Sequence, residues 1–172
     1  MRPTEDHWYA CWPMLSMRAA GPDDAALIHG FVVALAEYER EPAAVEVTPD
    51  MLREQLASQA PPFECVIAEV DGSPAGFALF FHTYSTWRGK RGLWLEDLFV
   101  LPSRRRHGVG KALLAHLGAI ACERGCARVE WSVLDWNRLA IEFYERLGAH
   151  PQDEWTTYRI SDAALLRLAD GA

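Results

Sequence analysis

Residues 93–124 read as a strand, a glycine-bearing turn and a helix in direct succession, and this unit constrains the fold more than any other part of the chain. The apolar run Leu93–Leu101 is stopped by Pro102, which has no N–H for a sheet ladder. The loop Arg105-Arg106-His107-Gly108-Val109-Gly110-Lys111 then opens a helix, Lys111 to Arg124. Its Leu113, Leu114, Leu117, Ile120 and Ala121 keep a helical period, and Gly125 is a natural stop. Two glycines, two residues apart at the positive end of a helix, free backbone N–H groups for an anion. The spacing is neither that of a P-loop nor the dinucleotide fingerprint. It points to a phosphate-bearing cofactor of another kind.

The remaining pattern is mixed. A short strand is expected at Leu15 to Ala19, then a turn at Gly21-Pro22-Asp23 and a helix with Leu27, Ile28, Phe31 and Leu35 on one stripe. Thr48-Pro49 is an N-cap and first-turn proline for a second helix to about Ser58. Strands follow at Glu64 to Val70 and Pro74 to His82, joined by the hairpin signal Asp71-Gly72. After the glycine loop and its helix, Arg128 to Leu134 alternates in strand fashion. A helix is expected at Asn137 to Leu147, a last strand at Trp155 to Ile160 and a terminal helix at Asp162 to Ala169. This order predicts an α/β (α+β) fold in one domain, residues 15–172, with residues 1–14 as an N-terminal extension that has no period.

Composition narrows the function classes. With 172 residues, one sizeable core is expected. The net charge of −7 argues against a nucleic-acid partner, which needs a basic surface, and suits a cationic substrate. Cys11, Cys65, Cys122 and Cys126 form no Cys-x-x-Cys pair and have no histidine cluster, so reduced thiols and no metal are expected. No apolar run reaches membrane-spanning length and no signal-peptide core is present, so a cytoplasmic protein with no membrane partner is expected.

Five blocks then occur in order: Tyr84-Ser85-Thr86-Trp87, Leu95-Glu96-Asp97-Leu98-Phe99-Val100, Arg105-Arg106-His107-Gly108-Val109-Gly110, Asp135-Trp136-Asn137 and Phe143-Tyr144. Over roughly residues 15 to 160, this arrangement resembles the GNAT superfamily of acetyl-CoA-dependent N-acetyltransferases. It is closest to the branch of diamine (spermidine/spermine) and thialysine acetyltransferases. The resemblance implies a mostly antiparallel central sheet of about six to seven strands flanked by helices. The fourth and fifth strands, parallel and splayed, would form the cofactor cleft. It further implies acetyl-CoA as donor, a small amine as acceptor and a homodimer.

Site roles follow from this resemblance. The amides of Arg106, His107, Gly108, Val109, Gly110 and Lys111 would wrap the pyrophosphate, with charge from Arg105 and Arg106. Phe99 and Val100 would offer backbone groups to the pantetheine arm, and Asn137 would contact the cofactor or serve as an N-cap. An alkyl ammonium, with a pKa of roughly 10, must lose a proton before it attacks. Glu96, a carboxylate in an otherwise apolar strand, is the candidate base. Asp97 points the other way in a regular strand, and a bulge would turn both toward the cleft. Tyr144 matches the family's general-acid tyrosine. Tyr84 and Trp87 resemble an aromatic substrate loop, and Asp97, Asp153 and Trp155 complete the acceptor candidates.

Polyamine-acetylating relatives carry an acid directly after that tyrosine. Here the residue is Ser85, which makes a shorter diamine or a diamino acid as good an acceptor as spermidine. A protein N-terminus or lysine as acceptor, and a non-catalytic acyl-CoA-binding module, are the competing readings.

Overall fold

The computed structural model describes residues 14–171. Residues 1–13, and with them nearly all of the expected extension and Cys11, lie outside the described part. The chain forms two compact units, one ending at Ser132 and one beginning at Val133.

The first unit is built on β1 (Leu15–Ala19), β2 (Glu64–Val70), β3 (Ser73–Ser85), β4 (Lys90–Val100) and β5 (Val129–Trp131). They form one sheet in sequence order. The first three pairings are antiparallel and β4–β5 is parallel. Helices α1 (Ala25–Glu39) and α2 (Pro49–Ala57) follow β1, and α3 (Val109–Glu123) links β4 to β5. The Thr48 hydroxyl accepts the Met51 N–H at 3.3 Å, the N-cap expected from the Thr-Pro pair. Arg18 holds the chain entry, donating to both Asp24 carboxylate oxygens and to Glu69.

The sheet separates two cores. On one face, Ala78, Phe80, Leu93, Leu95 and Val100 pack with Val109, Leu113 and Leu117 of α3. On the other, Phe77, Leu79 and Phe99 pack with Ile28 and Phe31 of α1 and Leu52 of α2. Phe31 stacks on Phe77 with centroids 5.2 Å apart. Both faces being covered explains why β2 and β3 read as nearly continuous apolar runs.

The second unit contains α4 (Arg138–Arg146) and α5 (Asp162–Ala169). The Asn137 side-chain oxygen caps α4 by accepting the Ala140 N–H at 3.3 Å. Two expectations need correction. The sheet has five strands among the described residues, not six to seven. Trp155 to Ile160 forms no strand. That stretch has strand composition, but a strand exists only with a ladder partner, and among the described residues it pairs with none.

Candidate active site

The pairing of β3 with β4 contains one irregularity, and it falls on the carboxylates. Leu79 pairs with Asp97 and Phe80 with Leu95, so Glu96 is an extra residue on β4. The bulge resets the alternation. Leu93 and Leu95 before it, and Leu98 and Val100 after it, all face the α3 core. Asp97 and Phe99 face the α1 side, and Glu96 now shares that side with Asp97 rather than opposing it. The turn of both carboxylates to one face is therefore a property of the bulge. Glu96 is exposed, and its carboxylate accepts the Trp94 indole N–H at 2.8 Å.

Asp97 is only partly exposed. Burial first, then the Glu96 and Glu39 carboxylates, push its pKa up to about 6. Burial also raises Glu39, the last residue of α1, where the negative end of the helix dipole adds to the field. Three carboxylates thus surround one spot on the sheet, an environment that favours a cation.

The raised pKa has a stability consequence with a definite sign. Between about pH 4 and pH 6 folded Asp97 holds a proton that the unfolded chain has lost, so stability falls as pH rises through that window. Asp97→Asn removes the cost. The variant is expected to be about 1–2 kcal/mol more stable than the parent at pH 7.5, with the gap closing below pH 4. Urea unfolding at both pH values checks this, and an equal gap at the two would refute it.

The parallel strands part at the bulge. Pairing of β4 with β5 runs from Leu93 with Val129 to Leu95 with Trp131 and then ends. Beyond it, β4 continues to Val100 and, among the described residues, pairs with β3 alone. The Leu101 N–H bonds to Ala75 on β3, so by alternation Phe99 also directs its backbone groups to β3. Leu98 and Val100 direct theirs to the open edge. Val100 therefore turns its backbone to the open edge, where its carbonyl accepts from Arg105 Nε, and Phe99 turns its backbone to β3.

The glycine loop lies just past this edge. Arg106 and Gly108 both adopt left-handed backbone, at φ 66° and 82°. Two such residues, two apart, turn successive amides to one side. Gly108 is the N-cap of α3 and supplies no side-chain cap, so the first-turn amides of Val109, Gly110 and Lys111 remain for an external acceptor. Val109 is buried in the α3 core and anchors the loop, while Arg106, His107 and Lys111 are exposed. Beside the loop is a cavity of about 220 Å³ lined by Ser103, Arg104 and His107 with Leu15 and Val70. The amides, the open edge and this basic cavity fit a phosphate-bearing cofactor with an extended arm.

Arg105 is turned away from the loop mouth. Its Nε donates to the Val100 carbonyl at 3.0 Å, and its guanidinium sits 4.8 Å from the Tyr38 ring centroid and 5.5 Å from that of Phe99. Its charge serves the junction of β4 with the end of α1.

Tyr84 and Trp87 stand at the far end of the β3–β4 hairpin, with Tyr84 paired to Arg91. In the second unit, Tyr144 is a half-buried residue of α4 with its ring centroid 5.3 Å from that of Phe143. Asn137 caps the same helix, and Asp153 and Trp155 are exposed beyond it. The sequence reading missed Trp94 and Leu98. Trp94 was recoverable, because residues two apart in a strand share a face and an indole donor two before a carboxylate is a ready partner.

A sheet with a bulged acidic strand, a parted parallel neighbour and a glycine-loop anion site defines a nucleotide-cofactor-dependent transferase. Residues 22–149 match the model of the Acetyltransferase (GNAT) family, and the chain belongs to it. It is 32% identical over 164 residues to the thialysine N-epsilon-acetyltransferase of Bos taurus, covering 89% of this chain and 96% of that one. A shorter match, 45% identical over 91 residues, is to the L-ornithine N5-acetyltransferase of Arabidopsis thaliana, covering 53% of this chain and 40% of that one. Among solved structures, an integron cassette protein from the mobile metagenome of V. cholerae has the same fold. It has a TM-score of 0.76 and 24% identity, covering 90% of this chain and 97% of that one. The protein is therefore an acetyltransferase enzyme with a mixed α/β GNAT fold. No helix among the described residues is long and apolar enough to cross a membrane.

Proposed function

We propose that the chain transfers acetyl from acetyl-CoA to a primary amine of a small polyamine, diamine or diamino acid, and that a diamino acid acetylated on its side-chain nitrogen is the preferred acceptor. The observation that carries this reading is the carboxylate group at the bulge, set where β4 and β5 part. The identity of the acceptor draws on Ser85, which removes the acid expected of a polyamine site, and on relatives named for thialysine and ornithine.

Acetyl-CoA supplies the thioester. The loop amides from Arg106 to Lys111 hold its pyrophosphate, and the open edge at Leu98 and Val100 holds the arm as an added strand would be held. Glu39 and Asp97 attract the ammonium group. Glu96 removes its proton, through a water, so that the nitrogen lone pair can attack. The Tyr144 phenol gives a proton to the departing sulfur. Transfer is direct in a ternary complex, with no acyl group carried by a cysteine. Residues 15–172 act as one acetyltransferase domain in a cytoplasmic homodimer with no nucleic-acid or membrane partner.

One amine panel tests the reading by release of free thiol: thialysine, lysine, ornithine, putrescine, 1,3-diaminopropane, spermidine and a lysine peptide. The expected order places a diamino acid first, with kcat/KM at least about tenfold above spermidine, because a site built for one set of polar groups rejects a ligand that leaves them unpaired. Turnover confined to the peptide, or none with any amine, would overturn it.

A further inference from the structure

A diamino acid carries one charge that a diamine lacks, its α-carboxylate, and the carboxylates at the bulge repel it. Glu39 closes α1, Glu96 and Asp97 share the α1 side of β4, and the charges that act on Asp97 are Glu96 and Glu39. An acceptor of this class is held there only if a cation stands within one molecule's length of the cluster. Arg105 is such a cation. Its guanidinium is 5.5 Å from the Phe99 ring centroid, and Phe99 follows Asp97 by two residues on the same face of β4. Two residues of strand span about 7 Å. Extended lysine and ornithine measure about 6–8 Å from side-chain nitrogen to carboxylate carbon, from ordinary bond lengths.

The guanidinium is held in place yet keeps donors to offer. Its Nε bonds to the Val100 carbonyl, and the Tyr38 and Phe99 rings pack against it. These contacts fix one edge of the planar group and restrict its tilt. Arg18, Arg124 and Arg128 each pair with a carboxylate. Arg105 is half-buried and, among the described residues, neither pairs with a carboxylate nor donates from its two terminal nitrogens, although Asp97 and Glu39 are near. Two terminal nitrogens of a guanidinium match the two oxygens of one carboxylate, a geometry that a lysine does not offer.

We infer that Arg105 recognises the α-carboxylate of the acceptor and sets a diamino acid above a diamine of the same length. The side-chain ammonium lies at Glu96 and Asp97, and the carboxylate lies about one strand repeat further along β4, on the terminal nitrogens of Arg105. A diamine reaches the same carboxylates but leaves the guanidinium unmatched. A polyamine fares worse, because its second ammonium is brought toward a fixed positive charge. The inference rests on the reading of the protein as an acetyltransferase of small amines, and it names the group behind the acceptor preference.

Acceptors matched except at the carboxyl group test it: ornithine against putrescine, and lysine against cadaverine and lysine amide. In the wild type, KM for lysine amide and for cadaverine is expected to exceed that for lysine by at least about tenfold, the worth of a charge-assisted hydrogen bond. Arg105→Gln is expected to raise KM for ornithine by about 10–100-fold with kcat little changed, and to leave putrescine and acetyl-CoA at their wild-type KM. Arg105→Lys keeps the charge without the fork and recovers part of the loss. Equal losses for ornithine and putrescine in Arg105→Gln mean a structural or donor-side role and overturn the inference. So does a wild type that uses lysine amide as well as lysine, or putrescine better than ornithine, results that need no variant to fold. If the wild type releases thiol with none of these amines, the acetyl-transfer reading falls instead. Calorimetry then decides the inference by itself: ornithine binds the wild type at least about tenfold more tightly than putrescine and loses that margin in Arg105→Gln, or Arg105 has no part in recognition.

Discussion

Glu96→Gln is expected to lower kcat by about 10²–10³-fold while leaving donor binding intact, because general-base assistance contributes on that order. Glutamine keeps the size of the side chain and an oxygen that can still accept the Trp94 indole N–H, so the bulge should persist. What it loses is the ability to take a proton from the attacking nitrogen. A thermal shift on adding acetyl-CoA, unchanged from wild type, shows that the donor site survives. Raising the pH should rescue part of the loss, since free amine then becomes more abundant as pH approaches the ammonium pKa near 10. Wild-type turnover at neutral pH would remove Glu96 from the mechanism. Tyr144→Phe is the companion, expected to lower kcat with little change in donor affinity.

Gly76→Ala is expected to cost about 3–4 kcal/mol of stability, or roughly a 10 °C fall in Tm for a domain of this size. A Cβ at that position would stand 2.4 Å from the Phe99 carbonyl oxygen and 3.1 Å from the Val100 α-carbon. Both atoms belong to the β4 backbone, which cannot swing aside as a side-chain end does. Relief requires β3 and β4 to move apart opposite the open edge, so donor affinity should fall with stability. Gly30→Ala is the control. Gly30 lies inside α1, and a Cβ there meets nothing within 4 Å. The change should stabilise by about 0.5–1 kcal/mol through helix propensity. Calorimetry on the two variants distinguishes close packing from a general intolerance of change, and an unaltered Tm in Gly76→Ala would refute the packing argument.

The parts of the molecule that were legible in the sequence are those set by local rules. Glu64–Val70 and Asp162–Ala169 form with the expected bounds, and α3 differs from its expected span by two residues or fewer at each end. Caps, turn glycines and short-period patterns decide such elements. The hairpin extends further than its apolar run, to Ser85 and from Lys90, because cross-strand pairing recruits polar residues such as Tyr84 and Arg91. The bulge was expected only from the family resemblance, since two consecutive carboxylates in a regular strand face opposite ways and share a face only if the ladder slips.

What remained hidden depends on distant partners. The inward turn of Arg105 needs the Tyr38 ring, from a helix on the α1 face of the sheet. The stretch Trp155 to Ile160 has no ladder partner among the described residues, and pairing is something a pattern of residues does not record. The faces of Tyr84 and Asp97 follow from register and bulge, and their separation is a matter of counting along a strand whose ends the sequence placed too close together.

The bulge at Glu96 also separates two kinds of structural constraint. Residues before and after it keep their core-facing pattern on either side of one inserted position, so the packing of the sheet does not depend on what that position carries. The side chain at position 96 can therefore be exchanged without repacking Leu95 or Leu98. A strand of regular alternation would tie each change of chemistry to a change of core. In this chain a single supernumerary residue leaves one exposed position uncoupled from the packing on either face of the sheet.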